Sequence, residues 1–334
     1  SPHWPGFRGH RARGCAEGAA APTSWELESG DNELWKTAVP GLAHSSPVVW
    51  GDQLFVTTAV KQGEKEPELK VGLYGDIASV ADEGVHQFRL LCLDKQTGDL
   101  LWSRTAHEGV PAVKRHPKSS HAASSPATDG EHVVAFFGSE GLYCYDMEGE
   151  LLWQKDFGVL DSGFFLAPEA QWGFASSPVL HAGRVIVQVD VQEDSFLAAF
   201  DADTGEQVWR TPRDEVPTWS SPTVDVRPDR SQVIVNGYKH IGGYDLETGA
   251  ELWKLGGGGD IPVPTPVVAH DLIFITNAHG RMAPIYAISA AASGELGGTA
   301  QDEEQMAWST PRRGNYMQTP LVYGEQLYCC NDAG

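Results

Sequence analysis

The 334-residue sequence has no apolar run near the ~20 residues that a membrane-spanning helix requires. It is also poor in basic residues, with 24 Lys and Arg against 45 Asp and Glu and a formal net charge of −21. Such an acidic chain repels phosphate groups, so nucleic acids and anionic membrane surfaces are poor partners for it. The composition therefore predicts no transmembrane segment and no nucleic-acid partner.

The motifs that mark common enzymes are also missing. The sequence has no HExxH, no paired CxxC, no GxSxG and no glycine-rich phosphate loop after a strand. Its five cysteines do not suggest an even disulfide framework. We expect Cys92 and Cys144 to be small buried core residues, and the adjacent Cys329 and Cys330 to alternate across a packed strand.

The sequence does contain a repeat. Asp201–Trp209 reads DADTGEQVW, and closely similar stretches occupy Asp94–Trp102 and Asp245–Trp253. A weaker copy spans Asp146–Trp153, and a fifth ends at Trp308 after a longer turn. A recurring turn of this kind predicts a protein built from repeated units.

A second marker lies out of phase with the first. Short Ser-Ser-Pro, Pro-Thr-Pro or Gln-Thr-Pro motifs precede apolar runs, and successive prolines are 79, 52, 44, 44 and 54 residues apart. Each unit, as in residues 220–255, contains four short segments rich in Val, Ile, Tyr and Trp between turn residues. A period of about 44 residues with four strands is typical of a β-propeller blade. The prolines are Pro47, Pro126, Pro178, Pro222, Pro266 and Pro320.

The repeated D-x-x-T-G-x-x-x-W resembles the tryptophan-docking motif of PQQ-like, or quinoprotein-like, β-propellers. That family includes eight-bladed quinoprotein dehydrogenases, the propeller lipoprotein of outer-membrane β-barrel assembly, and secreted proteins of unknown activity. The resemblance implies an all-β propeller of four-stranded blades, with eight blades in the intact protein. It also implies docking roles for Trp35, Trp102, Trp153, Trp209, Trp253 and Trp308.

The chain divides into an irregular N-terminal arm, residues 1–32, and a propeller, residues 33–334. Residues 33–37 have the pattern of an outer strand without inner strands before it, so we expect them to close the ring. The predicted blades cover residues 45–104, 124–155, 176–211, 220–255 and 265–310, with a partial blade at 319–334. A sixth blade that is imperfect, with six blades in all, is the competing count.

Most insertions are predicted to lie on one face of the propeller. They occupy residues 60–86, 107–121 and 157–175, and long loops on a rigid scaffold commonly carry binding residues. The stretched turn at 292–305 is the exception, because it projects from the opposite face.

Polar residues near the second-strand ends on this face are candidate cofactor-binding groups: Asn236, Lys239, His240, Asn277, Arg281 and Asn331. Basic groups on neighbouring loops could recognise an acidic ligand such as PQQ through charge-assisted hydrogen bonds. Five aromatic residues could add a stacking surface for a sugar or quinone ring. The alternatives are amides that bond local backbone, solvated loop charges and rings that pack between blades. The other basic groups are Lys114, Arg115, His116, Lys118, His121, His279, Arg312 and Arg313, and the aromatic residues are Phe164, Phe165, Trp172, Trp219 and Tyr316.

The resemblance further implies that a working dehydrogenase would hold Ca²⁺ with Glu, Asn and Asp ligands. Glu169, Asn236 and Asp260 have these types on the same face, although none matches a local motif of the family. PQQ and Ca²⁺ are therefore candidate cofactors without an assigned site.

These observations predict a secreted or periplasmic binding or scaffolding module that presents its loop face to a protein or carbohydrate. The opening SPHWPGFRG is similar to the start of secreted relatives, which implies an extracytoplasmic chain without its signal peptide. The alternative is a PQQ- and Ca²⁺-dependent dehydrogenase of alcohols or sugars.

Overall fold

A computed structural model describes residues 3–16, 18, 21–26, 28–63, 69, 78–297 and 305–331. Strands account for nearly all of the regular structure in these residues. The only helical segments described are two 3₁₀ turns, His10–Ala12 and Gly138–Glu140. None of the described helices is long and apolar enough to cross a membrane.

Five antiparallel units of four strands follow one another along the chain, the fourth of them extended by a parallel fifth strand, and a two-stranded sheet follows them. We number these six sheets as blades one to six. Blade one contains β1 (Val48–Trp50), β2 (Gln53–Lys61), β3 (His86–Asp94) and β4 (Leu100–Gly109); blade two contains β5 (Ala127–Thr128), β6 (His132–Phe136), β7 (Leu142–Asp146) and β8 (Leu151–Lys155).

A separate hairpin, β9 (Gly163–Phe164) and β10 (Ala167–Gln171), lies between blades two and three. The remaining strands, in chain order, are β11 (Val179–His181), β12 (Arg184–Val189), β13 (Phe196–Asp201) and β14 (Gln207–Pro212) in blade three; β15 (Thr223–Val226), β16 (Ser231–Val235), β17 (His240–Asp245) and β18 (Glu251–Gly256) in blade four; β19 (Val267–Ala269), β20 (Leu272–Thr276), β21 (Ile285–Ser289) and β23 (Met306–Thr310) in blade five, interrupted by β22 (Gly294–Leu296); and β24 (Leu321–Tyr323) and β25 (Gln326–Tyr328) in blade six.

The hydrophobic core lies between neighbouring blades. One cluster joins Phe55 and Phe88 of blade one to Val133 of blade two, and similar clusters join each later pair. Cys92 and Cys144 are fully buried in these clusters, as expected. This packing, with the repeated sheet order, confirms the predicted β-propeller fold; the number of blades in the intact protein stays a prediction.

The Asp-Gly turn that recurs along the chain has a clear physical basis. In blade one, Asp94 Oδ1 accepts hydrogen bonds from the backbone N–H groups of Gln96 (2.7 Å) and Thr97 (2.8 Å). Gly98 then adopts φ 76°, which an L side chain rarely tolerates. Asp fixes the turn and Gly closes it, so the outer strand pairs back onto the third strand.

Four tryptophans dock on the turn of the following blade. The Trp153 indole N–H donates to the Ala202 carbonyl (2.7 Å), and its ring covers Gly205 so closely that a Cβ there would lie 2.6 Å from Trp153 Cδ2. Trp35, Trp102 and Trp209 make the equivalent hydrogen bonds to Lys95, Met147 and Leu246, and their rings cover Gly98, Gly149 and Gly249.

Trp253 and Trp308 depart from this pattern. The Trp253 indole donates to Gln232 Oε1 (2.9 Å), and Gln232 Nε2 donates in turn to the Ala290 carbonyl (2.9 Å). The stretched turn of blade five explains this different partner of Trp253. Strand β22 lies in that turn and pairs in parallel with β18 of blade four. Trp308 is 41 % exposed, and its ring contacts that of Phe274.

The Ser-Ser-Pro motifs link the blades directly. The backbone N–H of Ser46 donates to Ser125 Oγ (2.9 Å), and Ser125 N–H donates to Ser177 Oγ (3.0 Å). Ser177 N–H donates to Ser221 Oγ (2.9 Å), and Thr265 N–H donates to Thr319 Oγ1 (3.0 Å). The hydroxyls of Ser125, Ser177, Ser221 and Thr319 therefore each accept a hydrogen bond from the preceding blade.

The N-terminal arm lies against the innermost strands. Trp4 pairs with Val49 of β1, the Pro5 carbonyl accepts from Thr128 N–H (2.8 Å), and Arg8 Nη2 donates to the Pro320 carbonyl (2.8 Å). The arm and the inner strands of blades two to five enclose a cavity of about 80 Å³. The arm thus spans from blades one and two to the start of blade six.

Two expectations fare differently. Residues 33–37 carry no strand, although Trp35 docks on blade one, so the ring-closing role stays a prediction. The expectation that Cys329 and Cys330 alternate in a packed strand is wrong. Strand β25 ends at Tyr328, and both cysteines are exposed.

Candidate functional site on the loop face

Antiparallel pairing within each blade places two kinds of connection at one end of the sheets. These are the links from the second to the third strand and the links from one blade to the next, and we call this end the loop face. The insertions at 62–85, 110–126 and 156–178 belong to it. The turns covered by the docked tryptophans lie at the opposite end.

Aromatic side chains from different loops meet on this face. Phe164 stacks on Trp172 with a centroid distance of 5.4 Å and an interplanar angle of 10°, and Trp172 lies 5.3 Å from Trp219. His279 contacts Phe164 edge-on at 6.2 Å and stacks on Tyr316 at 5.2 Å. We call these five residues the aromatic cluster; its members come from the links before blades three, four and six and from the β20–β21 connection.

A second aromatic pair extends this surface. Phe165 lies 4.7 Å from Tyr238, which belongs to the β16–β17 connection. Side chains next in sequence to these rings are open to solvent, with Leu166 65 % exposed and Met317 57 % exposed. Met282, in the β20–β21 connection, is 41 % exposed. The aromatic residues predicted from the sequence as a stacking surface therefore lie together, beside exposed apolar side chains.

The structure places the predicted polar residues in several environments. Asn236 is fully buried, and its Nδ2 donates to the carbonyls of Pro264 (2.8 Å) and Thr276 (3.1 Å). Asn277 Nδ2 donates to Asn236 Oδ1 (3.3 Å) and to the Gly237 carbonyl (2.8 Å). These two amides tie blade four to blade five, which is the backbone-bonding alternative considered for them.

The four other candidates lie elsewhere on the face. Lys239 Nζ donates to Asp214 Oδ1 (2.6 Å), while the backbone N–H of His240 donates to Glu215 Oε2 (2.9 Å). Arg281 and Asn331 are exposed. Their assignment as cofactor-binding groups stays a prediction.

The residues predicted for Ca²⁺ do not fit such a site as placed. The Asn236 amide bonds backbone on both sides, and Asp260 Oδ1 is hydrogen-bonded to His279 Nδ1. Glu169 is exposed on the separate β9–β10 hairpin. We therefore derive no step of a reaction through Ca²⁺ or PQQ.

A buried charge network lies beneath the face between blades three and four. Arg213 Nε donates to Asp190 Oδ1 (2.8 Å), Thr218 Oγ1 donates to Asp190 Oδ2 (2.7 Å), and Arg213 Nη1 donates to the Tyr244 hydroxyl (2.9 Å). Burial opposes the Arg213 charge, but Asp190 outweighs it and raises the Arg213 pKa. Burial, together with Asp190, raises the pKa of Glu215. With the side chains of Arg213 and Asp190 both at most 1 % exposed, this network has a structural role.

Sequence reasoning missed a second polar cluster, around Asp82. Its carboxylate oxygen Oδ2 accepts from Arg115 Nε (2.7 Å) and lies 3.1 Å from His121 Nε2. His86 lies alongside, with its ring centroid 5.5 Å from that of His121. Although burial opposes ionisation, the hydrogen bonds from His121 and Arg115 hold the pKa of Asp82 well below its ordinary value. Arg115 and His121 were noted as loop charges, but their partner Asp82 lies in a different insertion.

Family comparison agrees with the fold. The model of the family described as outer membrane protein assembly factor BamB matches residues 16–155 and 86–334. The chain belongs to this family. No curated protein sequence matches the chain. The BamB family assignment confirms the PQQ-like propeller resemblance seen in the repeats.

The chain is also similar to solved structures. The structure of BamB from Moraxella catarrhalis is 17 % identical, with 74 % of this chain and 65 % of that chain covered and a TM-score of 0.44. Quinohemoprotein alcohol dehydrogenase from Comamonas testosteroni is 14 % identical, with 87 % and 48 % covered and a TM-score of 0.50. The corresponding values for the quinohemoprotein alcohol dehydrogenase ADHIIG from Pseudomonas putida HK5 are 14 %, 76 %, 42 % and 0.43. This chain thus spans 42–65 % of the length of these structures.

Proposed function

We propose that this chain is an extracytoplasmic scaffold that binds a protein partner through the loop face. The observation that carries the proposal is the aromatic cluster with its exposed neighbours Leu166, Met282 and Met317. Aromatic residues and methionine are enriched in the buried centres of protein interfaces, where a few of them supply most of the binding energy.

The construction of this surface supports a binding role. Phe164, Trp219 and His279 come from three different loops, yet their rings contact one another directly or through Trp172. Such mutual packing holds the rings in place before a partner arrives, which reduces the entropy lost on binding. The flexible side chains of Leu166, Met282 and Met317 beside these rings can adapt to an apolar partner surface.

The family supports a protein rather than a carbohydrate as the partner. Its description names an outer membrane protein assembly factor, which works on other proteins. The same description supports an extracytoplasmic location for this chain. The dehydrogenase alternative would need a cofactor site, and two of the three residues predicted for Ca²⁺, Asn236 and Asp260, are engaged in other contacts.

Site-specific photo-crosslinking in the native host tests the proposal. A photoreactive phenylalanine analogue placed at Leu166, Met282 or Met317 should form adducts with one common protein. The same analogue at Leu100 or Leu151, which are 56 % and 49 % exposed on outer strands, is the matched control and should not form that adduct.

A charge-introducing variant completes the test. Leu166→Asp with Met317→Asp should reduce the adduct formed from Met282 at least tenfold while leaving the melting temperature within a few degrees of wild type. Equal adduct formation from loop-face and control positions would overturn the proposal. Saturable binding of an oligosaccharide to the wild-type protein, lost in Trp172→Ala, would show that the partner is a carbohydrate and not a protein.

A further inference from the structure

Three potential metal ligands converge in a buried part of the loop face. One ligand atom from each of Asp82, His86 and His121 lies within 4.8 Å of the other two. All three side chains are nearly inaccessible: the Asp82 and His121 side chains are 3 % and 5 % exposed, and His86 as a whole residue is 1 % exposed. Buried imidazoles and a carboxylate so close together need a shared partner, either one another or a cation.

The orientation of His86 suits a metal ligand. Its Nδ1 lies 2.8 Å from the Gly84 carbonyl oxygen, which can only accept, so Nδ1 carries the proton and donates. The lone pair is then on Nε2, the atom left for a metal. Metal-binding histidines usually donate their other ring N–H to a carbonyl or carboxylate, which fixes the tautomer and the ring direction.

Arg115 holds the carboxylate rather than the imidazoles. Its Nε donates to Asp82 Oδ2 (2.7 Å) and its Nη1 donates to the Ser119 carbonyl (2.9 Å). The backbone of Arg115 also pairs with Val80, so the two loops are already in register. Ligating carboxylates are commonly hydrogen-bonded by such outer partners, although the guanidinium charge lowers the affinity for a cation.

We propose that Asp82, His86 and His121 bind one divalent transition-metal ion, with Zn²⁺ as the ion that two imidazoles and one carboxylate suit best. Ligand atoms around tetrahedral Zn²⁺ lie roughly 3.3 Å apart, so no pair has to close by more than roughly 1.5 Å on binding, through rotation of the side chains. Binding replaces the His121–Asp82 hydrogen bond.

The bound ion would join two loops of different blades. Asp82 lies in the insertion between β2 and β3, His86 begins β3, and His121 lies in the link that leads to blade two. None of these three ligands belongs to the aromatic cluster, so the metal proposal does not depend on the proposed partner surface. The expected effect of the bound ion is to stabilise the loop face, since a ligand that binds only the folded state raises stability.

Metal titration of the tag-free protein tests the proposal. After removal of metal with a chelator, Zn²⁺ should bind with a stoichiometry of one per chain and raise the melting temperature. Co²⁺ should give the visible absorption of a four-coordinate site, and Zn²⁺ should displace it. His86→Asn, His121→Asn and Asp82→Asn should each weaken binding at least tenfold.

A matched control is available at His132. Its Nδ1 and Nε2 lie 3.2 Å from Asp129 and 3.0 Å from Asp203, in a His–carboxylate group at the opposite end of the sheets. His132→Asn should bind Zn²⁺ as wild type does. Absence of saturable one-to-one binding by the wild-type protein would overturn the proposal, as would wild-type affinity in both His86→Asn and His121→Asn.

A measurement on the wild-type protein guards against variants that fail to fold. Carbethoxylation of His121, followed by mass spectrometry, should slow at least fivefold when Zn²⁺ is added, while carbethoxylation of His10 should not change. Equal rates for His121 with and without Zn²⁺ would also contradict the site.

Discussion

The backbone N–H of Ser125 donates a 3.0 Å hydrogen bond to the hydroxyl of Ser177, 52 residues later and in the next blade. The relationship is repeated by Ser46 with Ser125 and by Ser177 with Ser221. It explains why a hydroxyl-bearing residue precedes Pro at the start of the units that take part in the series. Proline cannot donate, so the residue before it provides the N–H, while its hydroxyl serves the blade before.

Removal of one hydroxyl from this series should destabilise the fold. In Ser177→Ala, the buried N–H of Ser125 loses its acceptor, which costs about 1–3 kcal/mol of the free energy of unfolding. Ser177→Thr keeps an acceptor, as Thr319 does for Thr265, and should retain more stability than Ser177→Ala. Urea denaturation measures both; a Ser177→Ala value within error of wild type would contradict the role.

The glycines beneath the docked tryptophans should tolerate no side chain. Gly205→Ala has to adopt φ 70°, at about 1–2 kcal/mol, and its Cβ would lie 2.6 Å from the Trp153 ring. Displacement of that ring should add about 1–3 kcal/mol. Gly294→Ala is the control, because φ is 72° there but no atom lies within 4 Å of the added Cβ. Equal losses of stability in the two variants would show that the ring contact is unimportant.

The buried Arg213–Asp190 ion pair should contribute more to the free energy of unfolding than an exposed ion pair does. Asp190→Ala removes the nearer of the two buried carboxylates of Arg213 and leaves only Glu215 at 3.7 Å. Breaking a buried pair costs about 3–5 kcal/mol. Asp214, whose side chain is 81 % exposed, pairs with Lys239 at 2.6 Å. Asp214→Ala should leave the unfolding transition unchanged, because exposed pairs contribute little. Comparable losses in both variants would be inconsistent with this view.

Docking of the N-terminal arm should weaken in acid. Burial is the main cause that lowers the pKa of His181, and the nearby positive charges of Arg11 and His10 in the arm lower this pKa further. A histidine with a lowered folded pKa binds its proton more readily once it is released. Proton uptake by His181 therefore opposes docking of the arm as the pH falls below about 6.5. Above that value the contribution of His181 to docking is fully present.

Hydrogen exchange measures this effect. After correction for intrinsic rates, amides of residues 4–14 should exchange faster at pH 5.5 than at pH 7.5, and His181→Gln should remove most of the difference. Amides of β13 serve as the internal control, because they pair within blade three. Exchange of the arm that does not depend on pH would contradict the prediction.

Several features of the propeller could be predicted because they follow from local chemistry. The Asp-Gly turn and the following Trp lie within nine residues of each other, and a period near 44 residues reveals the blades. Burial of Cys92 and Cys144 follows from their place in the same repeat. Five of the loop-face aromatic residues could be named because they lie in a predicted insertion or in links between blades, whereas Tyr238 was not predicted.

The tertiary structure decided which distant side chains meet. The sequence could not show that Asp82 lies beside His121, that Gln232 takes the place of a carbonyl for Trp253, or that β22 pairs with β18. These contacts join different insertions, different blades or non-adjacent strands of one blade, and their separation in sequence carries no periodic signal. Local turn chemistry and repetition therefore determined the architecture, while tertiary packing determined the sites, because only the packed arrangement of the blades sets the distances between loops.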